Sequence, residues 1–157
     1  MDPKVTPAAN VTTTEELHGF FIEDLELGMT DVYVRAITET DVIQFSQISG
    51  DDNPLHMNEE FAKKTVFKGR IVHGMLSCGY ISSVLGTKLP GPGCVYLNQN
   101  LNFRAPVRIG DIVQSRVTIR DVDIKSNRVV CEAVCSIGEK IVIDGTATLW
   151  VPNRQIQ

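Results

Sequence analysis

Apolar residues recur at two different periods along this chain, and the change of period separates a helical front half from a strand-rich back half. Thr30 to Ile37, TDVYVRAI, alternates well enough for one strand, and Thr38 with Asp41 then offers a helix start. Val42, Phe45 and Ile48 follow at helical spacing, and Gly50 is a natural stop beyond Ser49. DDNPLH, residues 51–56, is rich in turn formers and predicts an irregular loop. Asn58 can cap a short helix through EEFAKK. A longer helix is predicted over GMLSCGYISSVLG, residues 74–86, which is apolar or small on every side and should therefore be buried all round.

Beyond Pro90 the period is two. Val95, Leu97, Gln99, Leu101 and Phe103 share one face, with Tyr96, Asn98, Asn100 and Asn102 on the other. Three more strands are marked by Val113, Ser115, Val117 and Ile119, by Val129, Cys131, Ala133, Cys135 and Ile137, and by Ile141, Ile143, Gly145, Ala147 and Leu149. The links between them are too short for parallel crossovers, so the pairing should be antiparallel. The reading is an α+β fold, a curved antiparallel sheet wrapped around a central buried helix at 74–86, with the apolar face of each strand buried against that helix. Residues 1–19, polar and Thr-rich, read as a disordered leader, and residues 20–157 as a single domain.

Composition narrows the partners. A chain of 157 residues with 43% hydrophobic content suits one core. A net charge of −4 supplies no basic field for nucleic acid or an anionic membrane, and no apolar stretch approaches the roughly 20 residues needed to span a bilayer. Neither partner is expected. The expected location is cytoplasmic, with a mitochondrial one as the alternative if a targeting segment was removed. Cys78, Cys94, Cys131 and Cys135 form no CxxC pair and have no histidine at zinc spacing, so reduced core thiols are expected and no metal.

The candidate chemistry lies between the first strand and the long helix. Two of only three histidines, His56 and His73, fall there, and Asp51 stands five residues before His56 across a Pro-containing turn. A carboxylate and an imidazole that converge can orient and deprotonate a water. The plain alternative is that SGDDNP ends a helix with an Asx cap and that His56 is a hydrogen-bonded structural histidine. Gly74 would open the long helix, where unpaired amides and about half a positive charge can hold an oxyanion; it could equally serve only a tight turn. His73 reads as structural, bonded to a backbone carbonyl. Ser82 could face a substrate or bond the carbonyl four residues earlier. Lys63, Lys64, Lys68 and Arg70 could meet phosphates of a coenzyme carrier, although such clusters are usually solvated faces.

FSQISGDDNPLH at 45–56 and IVHGML at 71–76, with LGTKLPGPGCVYLNQNLNF at 85–103 and APVRIGD at 105–111, resemble the MaoC-like (R)-specific enoyl-CoA hydratases and 3-hydroxyacyl-thioester dehydratases. The likeness covers about residues 20–151. It implies a hot-dog fold, a homodimer, and a hydro-lyase that interconverts trans-2-enoyl and (R)-3-hydroxyacyl thioesters on CoA or acyl carrier protein. No cofactor is implied. The family's catalytic aspartate and histidine match Asp51 and His56, with Asn53 and Pro54 inside the same motif and Asn53 a substrate-binding candidate. Its carbonyl-binding amide maps onto Gly74 and its pocket serine onto Ser82. Asp52 adds a second carboxylate of unassigned effect. The rivals are a 3-hydroxyacyl-ACP dehydratase, a hot-dog thioesterase, recognised by thiol release without a hydroxy product, and an acyl-CoA-binding protein without turnover.

Overall fold

The computed structural model describes residues 17–155. The sixteen residues before Leu17, most of the expected leader, lie outside them; Gly19, inside that expected leader, already donates its amide to the Pro92 carbonyl at 2.9 Å. Among the described residues a five-stranded sheet forms from β1 (Thr30–Ala36), β2 (Val95–Phe103), β3 (Ile112–Asp123), β4 (Arg128–Ile137) and β5 (Lys140–Trp150). Their order is β1-β3-β4-β5-β2, with every neighbouring pair antiparallel. The helices are α1 (Glu39–Ser49), α2 (Pro54–Met57), α3 (Glu59–Ala62) and α4 (Gly74–Thr87). None is long and apolar enough to cross a membrane.

Local chemistry accounts for the front half. Thr38 accepts from the Asp41 amide while the Asp41 carboxylate accepts from the Thr38 amide, a reciprocal cap on α1. Gly50 closes the helix at φ 76°, a left-handed conformation that glycine adopts without strain. Ile48, however, is 87% exposed; the inner face of α1 is Asp41, Val42 and Ser46. Burial alone would raise the Asp41 carboxyl, but bonds from Thr38 and the ion pair with Arg35 outweigh it, so its net shift is downward.

The core lies between α4 and the inner face of the sheet. Tyr80, Ile81, Val84 and Leu85 of α4 meet Val113, Val117 and Ile119 of β3, Cys131 and Ala133 of β4 and Ala147 and Leu149 of β5. Burial alternates along β3 and β4 as the sequence predicts. Three expectations need correction. Ile141 is 47% exposed and Val142 is buried, because a register shift opposite Cys135 and Ser136 reverses the parity at the start of β5. β2 is an edge strand with Val95, Leu97 and Phe103 exposed, so its apolar face is uncovered in the single chain. And α4 is buried on one stripe only: Met75, Gly79, Ser82 and Gly86 face outward.

All four cysteines are thiols. Burial pushes Cys78 up to about 11 and Cys131 up to about 12, so both stay protonated and act as small apolar packing groups.

Candidate active site

Residues 51–57 are not wholly irregular. Asp51 to Asn53 turn without regular structure, and Pro54–Met57 then forms a one-turn helix with Pro54 in its first position. Asn53 accepts from the Leu55 amide at 3.0 Å through Oδ1 and so caps that turn. The role this geometry gives Asn53 is to shape the loop. Asp51 Oδ1 in turn accepts from the Asn53 amide at 3.3 Å, the Asx turn anticipated as the plain alternative.

His56, in the last turn of α2, is half-buried and donates from Nδ1 to the Ile71 carbonyl at 2.8 Å. That bond assigns the proton to Nδ1 and leaves the Nε2 lone pair of the neutral ring as a proton acceptor. His73, 1% exposed, donates from Nε2 to the Asp51 carbonyl at 2.9 Å. Its ring lies 4.0 Å from that of His56 and 4.9 Å from that of Phe45. It therefore braces both candidate residues, one through the backbone and one through the ring, as its structural reading requires. Burial holds the His73 imidazole below its ordinary range, partly opposed by the bond to Asp51.

The side chains converge. One carboxylate oxygen of Asp51 and one ring nitrogen each of His56 and His73 lie within 4.8 Å of one another. His56 Nδ1 and His73 Nε2 each donate to a backbone carbonyl, so each ring keeps one other nitrogen as a proton acceptor, and the two rings are tilted by 37°.

His56 opens onto a cavity of about 460 Å³ that also receives the first turn of α4 at Gly74. Its walls are mainly apolar, among them Phe67, Met75, Val107 and Ile143. The Gly74 amide, in the first position of α4, has no intrahelical acceptor and carries the positive end of the helix dipole. A side chain at Gly74 would collide with the cavity wall: an added Cβ would stand 2.5 Å from Phe103 Cε1. Asp51 is exposed and does not line the cavity.

Two sequence expectations fare differently. Ser82 is on the exposed stripe of α4 and does not line the cavity in the single chain; Ser77 does, fully buried, with its hydroxyl unpartnered. The signal for Ser77 was its spacing, three residues after Gly74 and so on the same helix face. Half of the basic cluster is paired. Arg70 pairs with Glu39 at 2.9 Å and Lys63 with Glu60 at 3.0 Å, while Lys64 and Lys68 form no such ion pair among the described residues.

The MaoC like domain family matches residues 27–140, well over half of the chain. The chain belongs to the MaoC-like family. This MaoC-like chain is 47% identical over 140 residues to a 3-hydroxybutyryl-CoA dehydratase of Methylorubrum extorquens, covering 89% of each protein. It is 46% identical over 142 residues to an (R)-specific enoyl-CoA hydratase of Rhodospirillum rubrum, covering 90% of this chain and 99% of the relative. Among solved structures it superposes on the unliganded R-hydratase PhaJ1 of Pseudomonas aeruginosa with a TM-score of 0.80 at 37% identity, covering 87% of this chain and 88% of that one. The hot-dog architecture expected of a MaoC-like chain is the one it has.

Proposed function

We propose that this MaoC-like domain hydrates trans-2-enoyl thioesters to (R)-3-hydroxyacyl thioesters and catalyses the reverse dehydration, acting as a hydro-lyase. The observation that carries the reading is the convergence of Asp51 and His56 within 4.8 Å, with His56 on the wall of an apolar cavity that Gly74, at the α4 amino terminus, also lines. The named activities of the relatives support the same class.

The chemistry follows from where charge develops. The thioester carbonyl withdraws electrons from C3, so attack there by water moves a pair through C2 onto the carbonyl oxygen as an enolate. Asp51 and the Nε2 lone pair of His56 hold the water, and the proton it loses passes to that pair. The Gly74 amide, which points out of the helix, donates to the enolate oxygen. The same pair returns a proton to C2, so H and OH are added and nothing is oxidised or reduced. This balance needs no cofactor.

The substrate is a CoA or acyl-carrier-protein thioester, and the protein works as a homodimer: the exposed edge of β2 and the outward stripe Met75, Gly79, Ser82 and Gly86 are where a second copy would add its cover. In such a pair Ser82 could reach substrate across the junction, and Asn53 acts on substrate only through the loop it caps. The compartment proposed is the cytoplasm, with the mitochondrion as alternative.

Crotonyl-CoA hydration tests the reading, with the product resolved as (R)- or (S)-3-hydroxybutyryl-CoA. Asp51→Ala and His56→Ala should each lose on the order of 10² to 10⁴ in kcat while keeping the wild-type melting temperature within a few degrees. Near-wild-type rates in either variant, an (S) product, or thiol release without a hydroxy product would overturn it.

A further inference from the structure

The catalytic histidine sits on a helix of a single turn, α2, which cannot hold its own geometry: a nucleus this short gains too few bonds to offset the order it demands. Its two ends must be held from outside. Asn53 holds the first. The last carbonyls of a helix have no internal partner, and that of His56 accepts from Arg70 Nε at 2.5 Å.

Arg70 is itself locked. Its two terminal nitrogens donate to the two oxygens of Glu39 at 3.2 and 2.9 Å, and its side chain is only 16% exposed. Glu39 stands in the first turn of the capped helix α1. A planar guanidinium can reach a carbonyl and fork onto a carboxylate at once; an ammonium cannot do so with the same geometry. From the other side Arg108 donates to the Arg70 carbonyl at 2.9 Å and to the Phe67 carbonyl at 2.5 Å. The residue after Arg70 is Ile71, whose carbonyl takes the His56 Nδ1 proton and whose amide donates to the Leu55 carbonyl at 3.4 Å. The stretch 70–71 thus touches the catalytic turn three times: at the His56 carbonyl, at the His56 ring and at the Leu55 carbonyl.

We infer that Arg70, anchored by Glu39, is a positioning residue for His56: it fixes the one-turn helix against the Ile71 carbonyl and so holds the imidazole in the tautomer whose Nε2 accepts the proton of water. Arg70 does not line the cavity, so its role is one of positioning and not of substrate contact. The inference rests on the reading of His56 as the proton acceptor. It predicts a defect in turnover with binding left nearly intact, since misplacement of a reacting group by about 1 Å can cost 10²-fold in rate.

The test combines kinetics with a readout that needs no turnover. Arg70→Ala should lower kcat for crotonyl-CoA by about 10- to 100-fold with KM within about threefold, Arg70→Lys should recover part of the loss, and Glu39→Gln should show a smaller fall in kcat of the same kind. Side-chain ¹⁵N spectra of His56 should show the Nδ1-protonated tautomer in the wild type and growth of the Nε2-protonated form in Arg70→Ala and Glu39→Gln. If Arg70→Ala does not fold, Glu39→Gln and Arg70→Lys carry both measurements. Folded variants with wild-type kcat and an unchanged His56 spectrum, or a defect confined to KM, would overturn the assignment. Should the wild type fail to hydrate crotonyl-CoA, the functional reading falls, while the His56 spectra still decide what Arg70 does.

Discussion

Replacing Gly74 with alanine separates the amide of that residue from the space beside it. The Gly74 backbone is not in the left-handed region, and alanine in a helix gains roughly 0.5–1 kcal/mol over glycine. Against this, the new methyl would stand 2.5 and 2.8 Å from Phe103 Cε1 and Cδ1, where carbon atoms rest at about 3.5–4.0 Å. The ring must retreat by about 1 Å. Overpacking of that kind costs about 1–3 kcal/mol, at the low end here because Phe103 is 56% exposed on an edge strand and can swing outward. The two effects nearly cancel, leaving a net loss of about 0–2 kcal/mol and a melting temperature lower by no more than about 8 °C. Catalysis should not be spared. The displaced ring is a wall of the cavity that His56 opens onto, so kcat/KM for crotonyl-CoA should fall by about 10- to 100-fold although the amide is still present. Because the loss arises at Phe103, a Gly74→Ala, Phe103→Ala double variant should be less impaired than the two single losses multiplied together. Wild-type kcat/KM in Gly74→Ala, or strictly multiplicative losses in the double variant, would refute the reasoning.

Two further outcomes test the scaffold. His73 is buried with its imidazole held below the ordinary value near 6.5, so between the folded and unfolded values the unfolded chain binds more protons and stability rises with pH. The contribution is complete above about pH 6.5 and is lost as pH falls below it; thermal melts from pH 7.5 to 5 should show that slope, and His73→Gln should flatten it, while identical slopes would exclude His73 as the source. Thr38→Ala removes the reciprocal cap on α1 and should lower stability by about 1–2 kcal/mol in urea unfolding, with kcat falling no further than in Glu39→Gln, because Glu39 stands in the turn that the cap holds. A collapse of kcat there would mean that α1 positions the acid/base pair more directly than the structure implies.

How far the sequence could be read depended on the range of the interaction concerned. Thr38 with Asp41, Gly50 after Ser49 and the alternation of Val113 to Ile119 are decided within a few residues, and each stands where the pattern put it. Ile141 was misassigned because a single register shift reverses inside and outside, and nothing in an alternating run announces where a bulge falls. The outward side of α4 and the bare face of β2 were read as buried because composition records that a residue is apolar or small, not which surface covers it. Gly79, Ser82 and Gly86 on the one, and Val95 and Leu97 on the other, have no cover within the described residues.

The candidate site divides along the same line. Asp51 and His56 come close because only a short turn separates them, and His73, just before α4, joins them, whereas Gly74 shares only the cavity wall with His56. The contacts of Arg70 with Glu39 and with the His56 carbonyl could not be picked out, since Glu39 and Arg70 are 31 residues apart and meet only in the folded chain. Arg70 looked like one member of a basic cluster open to coenzyme phosphates; the fold turns it inward onto a carboxylate and a helix end. A charge cluster on a short stretch therefore says little until its partners are known, because pairing with one carboxylate and one helix-end carbonyl leaves the Arg70 side chain only 16% exposed.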